Sequence, residues 1–239
     1  MAQIGYGYGS EFQLLRFMGR HRKKLEEIIV KSIGEEGEFD WMDFEYSSPF
    51  VNIACDSEIK GLSFIKDNPN YQKVVEEYKN YIPQNKWYSW QNWDAIFTLN
   101  GVIYLVEAKA YVDEMSDKKV HGNASILQYM KDMLPQLPVS EVWLQSYYQL
   151  ANRLATTALL QKHGVKAKTL YIYFINGYRK RTEIDRKIVE VEKGNKNTSL
   201  EEFQMAISRE FSELGINDKM VSNLLTPPVF IDAEYDYLE

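Results

Sequence analysis

The chain has 239 residues, 45% of them hydrophobic, enough for one well-buried domain, and no stretch approaches the uninterrupted apolar run that a membrane span requires. Its net charge of -6 argues against coating nucleic acid by bulk attraction, although local basic groups or a bound cation can offset the field at one cleft. The single cysteine, Cys55, excludes an internal disulfide framework and, with no signal-peptide pattern at the start, suits a reducing cytoplasm; His21, His121 and His163 are too widely separated to suggest a zinc cluster or a Ser-His-Asp hydrolase.

In chain order, "GYGYGS" lacks the preceding strand and the Gly-Lys-Ser/Thr ending of a phosphate-binding loop and reads as a flexible lead-in. Apolar residues at helical spacing (Leu14, Leu15, Phe17 and Met18, then Leu25, Ile28 and Ile29) predict a helix from Ser10 to Ile33. Ser10 is its expected N-cap, Gln13 completes a capping box, and Gly19 marks a kink or break. Glu11 falls in the first turn, where an acidic residue favours the helix macrodipole. The basic run from Gly19 to Lys24 reads by default as a solvated helix face, with phosphate contact as the alternative. "FDWMDFEYSSPFVNIACDSEIKGLSFI" predicts one or two strands, and "NPNYQKVVEEYKNYI" a short helix. The loop "PQNKWYSWQNW" follows, its Trp87, Trp90 and Trp93 better suited to a core or a rim than to stacking on bases.

The next stretch, "NWDAIFTLNGVIYLVEAKAY", carries the strongest local signal. Asn100-Gly101 predicts a two-residue hairpin, because both residues tolerate the positive φ of a type I′ turn. The turn sets Leu99 opposite Val102 and, five residues further from the turn, Asp94 opposite Glu107. Lys109 projects from the same face as Glu107, while Ala108 points the other way. Two carboxylates and an ammonium therefore converge within strands that are apolar on both faces, a placement that a hard cation would relieve. The bland alternative is a structural ion pair of Lys109 with Asp94 or Glu107.

"VSEVWLQSYYQLANRLATTALLQKHG" predicts a long helix from Glu141 to His163, ended by Gly164, with Leu144, Tyr147, Tyr148, Ala151, Leu154, Ala155 and Ala158 as its buried stripe. Gln145, Gln149, Asn152, Arg153 and Thr156 share a polar edge, for which a solvated surface is the simplest reading. "KAKTLYIYFING" predicts a strand that finishes the sheet. Beyond it come a polar linker around Gly194 to Asn197, a helix capped by Ser199 with Glu202, and an edge strand after Pro227 and Pro228.

Asp94, a hydrophobic hairpin, then Glu107-Ala108-Lys109 resembles the PD-(D/E)xK nuclease superfamily, with Trp93 where the family name has Pro; "WDAIF", "LVEAKAY" and "YYQLANRLA" resemble bacterial members of unassigned activity. The resemblance implies an α/β fold, α+β in its mixed sheet, with a restriction-endonuclease-like αβββαβ core at about residues 10–177 and helices on both faces. Residues 178–239 are then an extension packing on that core within one domain spanning 1–239.

The same resemblance makes Asp94, Glu107 and the Ala108 carbonyl ligands for Mg²⁺ or Mn²⁺, and Lys109 the residue that positions water. It also assigns catalytic roles to Glu11, with Glu27 as the alternative helix carboxylate, and to Gln149, supported by Tyr148, Asn152 and Arg153 at the substrate. The expected function is a metal-dependent nuclease acting on nucleic acid, foremost DNA, in the cytoplasm and not at a membrane, with homodimerisation left open. The alternative is a catalytically silent member that serves as an interaction or nucleic-acid-binding module.

Overall fold

The Asn100-Gly101 turn has φ of 52° and 74°, and it pairs β4 (Ala95–Leu99) with β5 (Val102–Lys109) in the expected register, from Leu99 opposite Val102 to Ala95 opposite Val106. This computed structural model describes residues 9–42, 59–81, 91–116, 124–176, 178–184, 187–193 and 199–233. Trp87, Trp90, Cys55, His121 and the linker around Gly194 lie outside them.

Around the hairpin stands a five-stranded sheet in the order β1-β4-β5-β6-β9. β1 (Phe39–Trp41) runs antiparallel to β4, β6 (Ala167–Ile175) parallel to β5, and β9 (Val229–Asp232) parallel to β6 at the edge. The strand expected to finish the sheet, β6, is therefore interior, and the proline-preceded β9 takes the edge, where a strand start tolerates missing donors. β2 (Ile59–Lys60) and β3 (Asn92–Trp93) form a separate short ladder, and β7 (Tyr178–Ile184) pairs with β8 (Lys187–Lys193) in another, a hairpin within the stretch that the sequence assigns only as an extension.

Both faces of the main sheet are covered, which is why its strands read as nearly continuous apolar runs. On one face α1 (Ser10–Arg20) and α2 (Arg22–Ile33) bring Leu14, Phe17, Met18, Leu25 and Ile29 onto Phe97, Tyr104, Val106, Ala108 and Ile172. The single helix expected here breaks at His21, not Gly19: His21 adopts φ -127° and ψ 31°, outside the helical region. The cap also differs, since Gly9 is the N-cap and makes no side-chain bond, while the Ser10 hydroxyl engages Glu114.

The opposite face carries α3 (Gln72–Tyr81), α4 (Ala124–Met133), α5 (Tyr148–Lys162) and α6 (Leu200–Leu214), whose apolar residues pack with Ile96, Leu105 and Tyr171. α6 has the expected Ser199–Glu202 capping box, and the short α7 (Asp218–Val221) precedes β9. The helix expected from Glu141 starts only at Tyr148: Glu141–Leu144 is a 3₁₀ turn, and Gln145, at φ -101° and ψ -120°, interrupts it. That break sets Tyr148 and Gln149 in the first turn of α5. Among the described residues, no helix is long and apolar enough to cross a membrane.

The hairpin depends on Gly101 at φ 74°, a conformation that costs an L-residue about 1–2 kcal/mol. Gly101→Ala should lower stability by about that amount in urea unfolding. An unchanged midpoint would show that the turn does not set the register.

Candidate active site

Asp94 is the bend between β3 and β4. Its N–H reaches the Val106 carbonyl at 3.2 Å, and its Oδ2 accepts the Ala108 N–H at 2.7 Å, which draws the half-buried carboxylate along β5 toward Glu107 and Lys109. Beyond Ala95 opposite Val106 the β4–β5 ladder stops, because Trp93 leaves to pair with Ile59. The N–H and C=O of one strand residue face the same side, so the Ala108 carbonyl also faces the Asp94 side.

Glu107 and Lys109 are only 4% and 6% exposed. Lys109 Nζ donates to Glu107 Oε1 at 2.7 Å and to Gln149 Oε1 at 2.6 Å. Arg153, on α5 one turn after Gln149, donates from both Nε and Nη2 to Glu107 Oε2, at 3.0 and 2.7 Å. The same guanidinium reaches the Asn92 carbonyl at 2.8 Å and Gln91 Oε1 at 3.2 Å, and its carbon lies 4.9 Å from the centre of the Trp93 ring. Four of its five N–H groups are thereby committed within the protein. Gln91 in turn donates to Thr156 Oγ1 at 2.6 Å, so Arg153 is held by a buried polar chain. The edge read as solvated in the sequence is buried at Asn152, Arg153 and Thr156.

The electrostatics follow. Burial pushes the Asp94 carboxyl up to about 8, with the charge of Glu107 adding to the effect and Lys109 opposing it. Burial also works against the Glu107 anion, yet Arg153 and Lys109 outweigh it and hold that carboxyl below its ordinary range. For Lys109, burial is overcome by Glu107 and Asp94, which raise its pKa and keep it charged.

The remaining expected residues fall as follows. Glu11 is half-buried in the first turn of α1, tied to the carboxyl end of β5 by the Ser10–Glu114 bond and by the Ala110 N–H on Glu114 at 2.8 Å. Glu27 instead forms an exposed pair with Lys24 at 3.2 Å, and Glu26 accepts from Trp41 at 2.9 Å. Of the three carboxylates, Glu11 is the one whose neighbour Ser10 bonds Glu114, just past the end of β5. Asn152 Nδ2 lies 3.4 Å from the Tyr148 hydroxyl, and its buried Oδ1 has no partner among the described residues.

Sequence reasoning missed Gln91, Glu114 and Tyr171. Tyr171 sits beside Glu107 across β5 and β6, and its buried hydroxyl also lacks a partner among the described residues. No local pattern marks any of the three, because their placement depends on how separate elements dock.

Among the described residues, no group of three or more His, Cys, Asp or Glu side chains is placed to hold a metal ion. Fold and site together define a mixed α/β protein in which buried Glu107, Lys109 and Arg153 meet half-buried Asp94 and Gln149 at the end of the central strand. No family model, curated protein or solved structure matches the chain.

A carboxyl protonated in the fold but not in the open chain adds stability that is complete below the unfolded pKa, about 3.9, and is lost as pH rises through the folded value. In chelator the melting temperature should therefore fall from about pH 5 to about pH 8. Asp94→Asn keeps an acceptor for the Ala108 N–H and should flatten that decline; an unaltered slope would exonerate Asp94.

Removing one partner of a buried pair costs about 3–5 kcal/mol, whereas removing an unpartnered hydroxyl removes a penalty of about 1–3 kcal/mol. Denaturant unfolding should show Arg153→Met strongly destabilised and Tyr171→Phe equal to the parent or more stable. A destabilised Tyr171→Phe would mean that its hydroxyl has a partner.

Proposed function

We propose that the chain is a divalent-metal-dependent nuclease of the PD-(D/E)xK superfamily, with a restriction-endonuclease-like core, hydrolysing phosphodiester bonds in nucleic acid and foremost in DNA. The observation that carries this reading is the Asp94 carboxylate bonded to the Ala108 N–H, beside a Glu107 that shares its face with Lys109.

The donor set suits Mg²⁺ or Mn²⁺. Among the described residues Asp94 Oδ1 makes no hydrogen bond and Glu107 Oε1 is engaged by Lys109 alone, and Ala108 turns its carbonyl toward the same side. All three are hard oxygen donors. A cation held there supplies charge neutralisation at a phosphoryl oxygen and lowers the pKa of water toward neutrality. Lys109, kept charged and anchored by Gln149, presents its remaining N–H to orient the attacking water. Glu11 is assigned as the third carboxylate at this end of β5, and Tyr148 and Asn152 to the substrate side. Arg153, assigned to substrate by the sequence motif, is instead given the task of fixing Glu107.

A second reading, a catalytically silent module, is favoured by one observation: Lys109 and Arg153 already satisfy both Glu107 oxygens without a cation.

Lys109→Ala separates the two. Under the nuclease reading, cleavage of DNA or RNA with Mn²⁺ falls by about 10² to 10⁴. Calorimetric Mn²⁺ binding persists in that variant but is lost in Asp94→Asn and in Glu107→Gln. A parent inert on single- and double-stranded DNA and RNA in either metal overturns the nuclease reading in favour of the module.

A further inference from the structure

Glu107 is occupied unequally. Each carboxylate oxygen offers about two acceptor positions. On Oε1 one is taken, by Lys109, which leaves one acceptor position; on Oε2 both are taken, by Nε and Nη2 of Arg153.

Arg153 is held by more bonds than Lys109. It is 7% exposed, has four N–H groups committed, and is stacked on Trp93, itself fully buried and pinned by its Nε1–H to the Gly61 carbonyl at 2.8 Å. In two-cation phosphoryl-transfer sites the ions lie about 3.5–4 Å apart and clamp the attacking and leaving oxygens together. A carboxylate bridging such a pair would need one free oxygen for each. Here only one oxygen of Glu107 is open to a cation.

Resting on the nuclease reading above, we infer that the site takes a single divalent cation, on the side of Asp94, Ala108 and Glu107 Oε1. Arg153 is the positioning residue that excludes a second by covering Glu107 Oε2. Its guanidinium provides a fixed positive charge on the side where a bridged second cation would bring its own. Charge points the same way: Lys109 and Arg153 already balance Asp94 and Glu107 when both are ionised, so a second divalent ion would meet strong repulsion at this range.

The test is Mn²⁺ binding to the full chain, followed by calorimetry and by electron paramagnetic resonance, neither of which depends on turnover. The expected result is one Mn²⁺ per chain at this site, lost in Asp94→Asn, with a spectrum free of exchange coupling. Two Mn²⁺ with a coupled spectrum would overturn the single-cation inference and leave the nuclease reading standing. A parent that binds none would overturn both. In Arg153→Gln, checked for folding by circular dichroism, Oε2 is uncovered and the count should rise from one to two. A folded variant that still binds one removes Arg153 as the cause. Because the parent stoichiometry decides by itself, a variant that fails to fold does not shelter the inference.

Discussion

One carboxylate, buried inside a sheet and never left alone, organises this protein. Taking an ionised carboxylate out of water costs several kcal/mol, and Glu107 is only 4% exposed. Lys109 from its own strand and Arg153 from α5 offset that cost, one on each oxygen. The requirement propagates outward. Arg153 must itself be buried, so Gln91, the Asn92 carbonyl and the Trp93 ring close around it, and Gln91 is held in turn by Thr156. A polar chain therefore runs from the central strand through α5 toward Tyr129 on α4.

The sheet tolerates this because its faces are divided. Tyr104, Val106, Ala108 and Ala110 of β5 and its extension point to the side sealed by α1 and α2, where they pack among apolar residues and the Tyr104 hydroxyl reaches out to Glu35. Leu105, Glu107 and Lys109 alternate onto the other side, where apolar packing fills the lower part and ions the end. The charges come where β5 loses β4 as an antiparallel partner and only the parallel β6 continues beside it. Asp94 lies at that opening, and the bend it makes turns an unpaired stretch of β5 backbone into a site that presents one N–H and one carbonyl.

Helix ends complete the arrangement. The interruption at Gln145 starts α5 late, so that Gln149 meets Lys109 and Arg153, one turn on, meets Glu107. At the same end, Glu114 binds Ala110 and Ser10 and so ties the start of α1, with Glu11, to the end of β5. Three elements distant in sequence thereby converge on eight residues of strand.

What the sequence by itself determined is whatever local geometry decides. The Asn100-Gly101 turn and the two-residue period of strands were enough to fix the β4–β5 pairing as far as Ala95 opposite Val106 and to put Lys109 on the same face as Glu107, because a hairpin register depends only on the turn and the alternation; past that pair the chain bends at Asp94, whose carboxylate reaches the Ala108 N–H instead of facing Glu107 in the ladder. Ser199 and Glu202 were legible as a capping box for the same reason. Tertiary structure decided the rest. The break at His21, the β7–β8 hairpin and the place of β9 beside β6 have no short-range signature strong enough to read, whereas α4 does carry helical spacing in Ile126, Tyr129, Met130 and Met133, a signal the sequence reading passes over. Arg153 shows the difference most clearly: its polar spacing along α5 is equally compatible with solvent or with burial. Only the docking of α5 over β5, driven by the apolar stripe beside it, brings its guanidinium to a buried carboxylate 46 residues away in sequence.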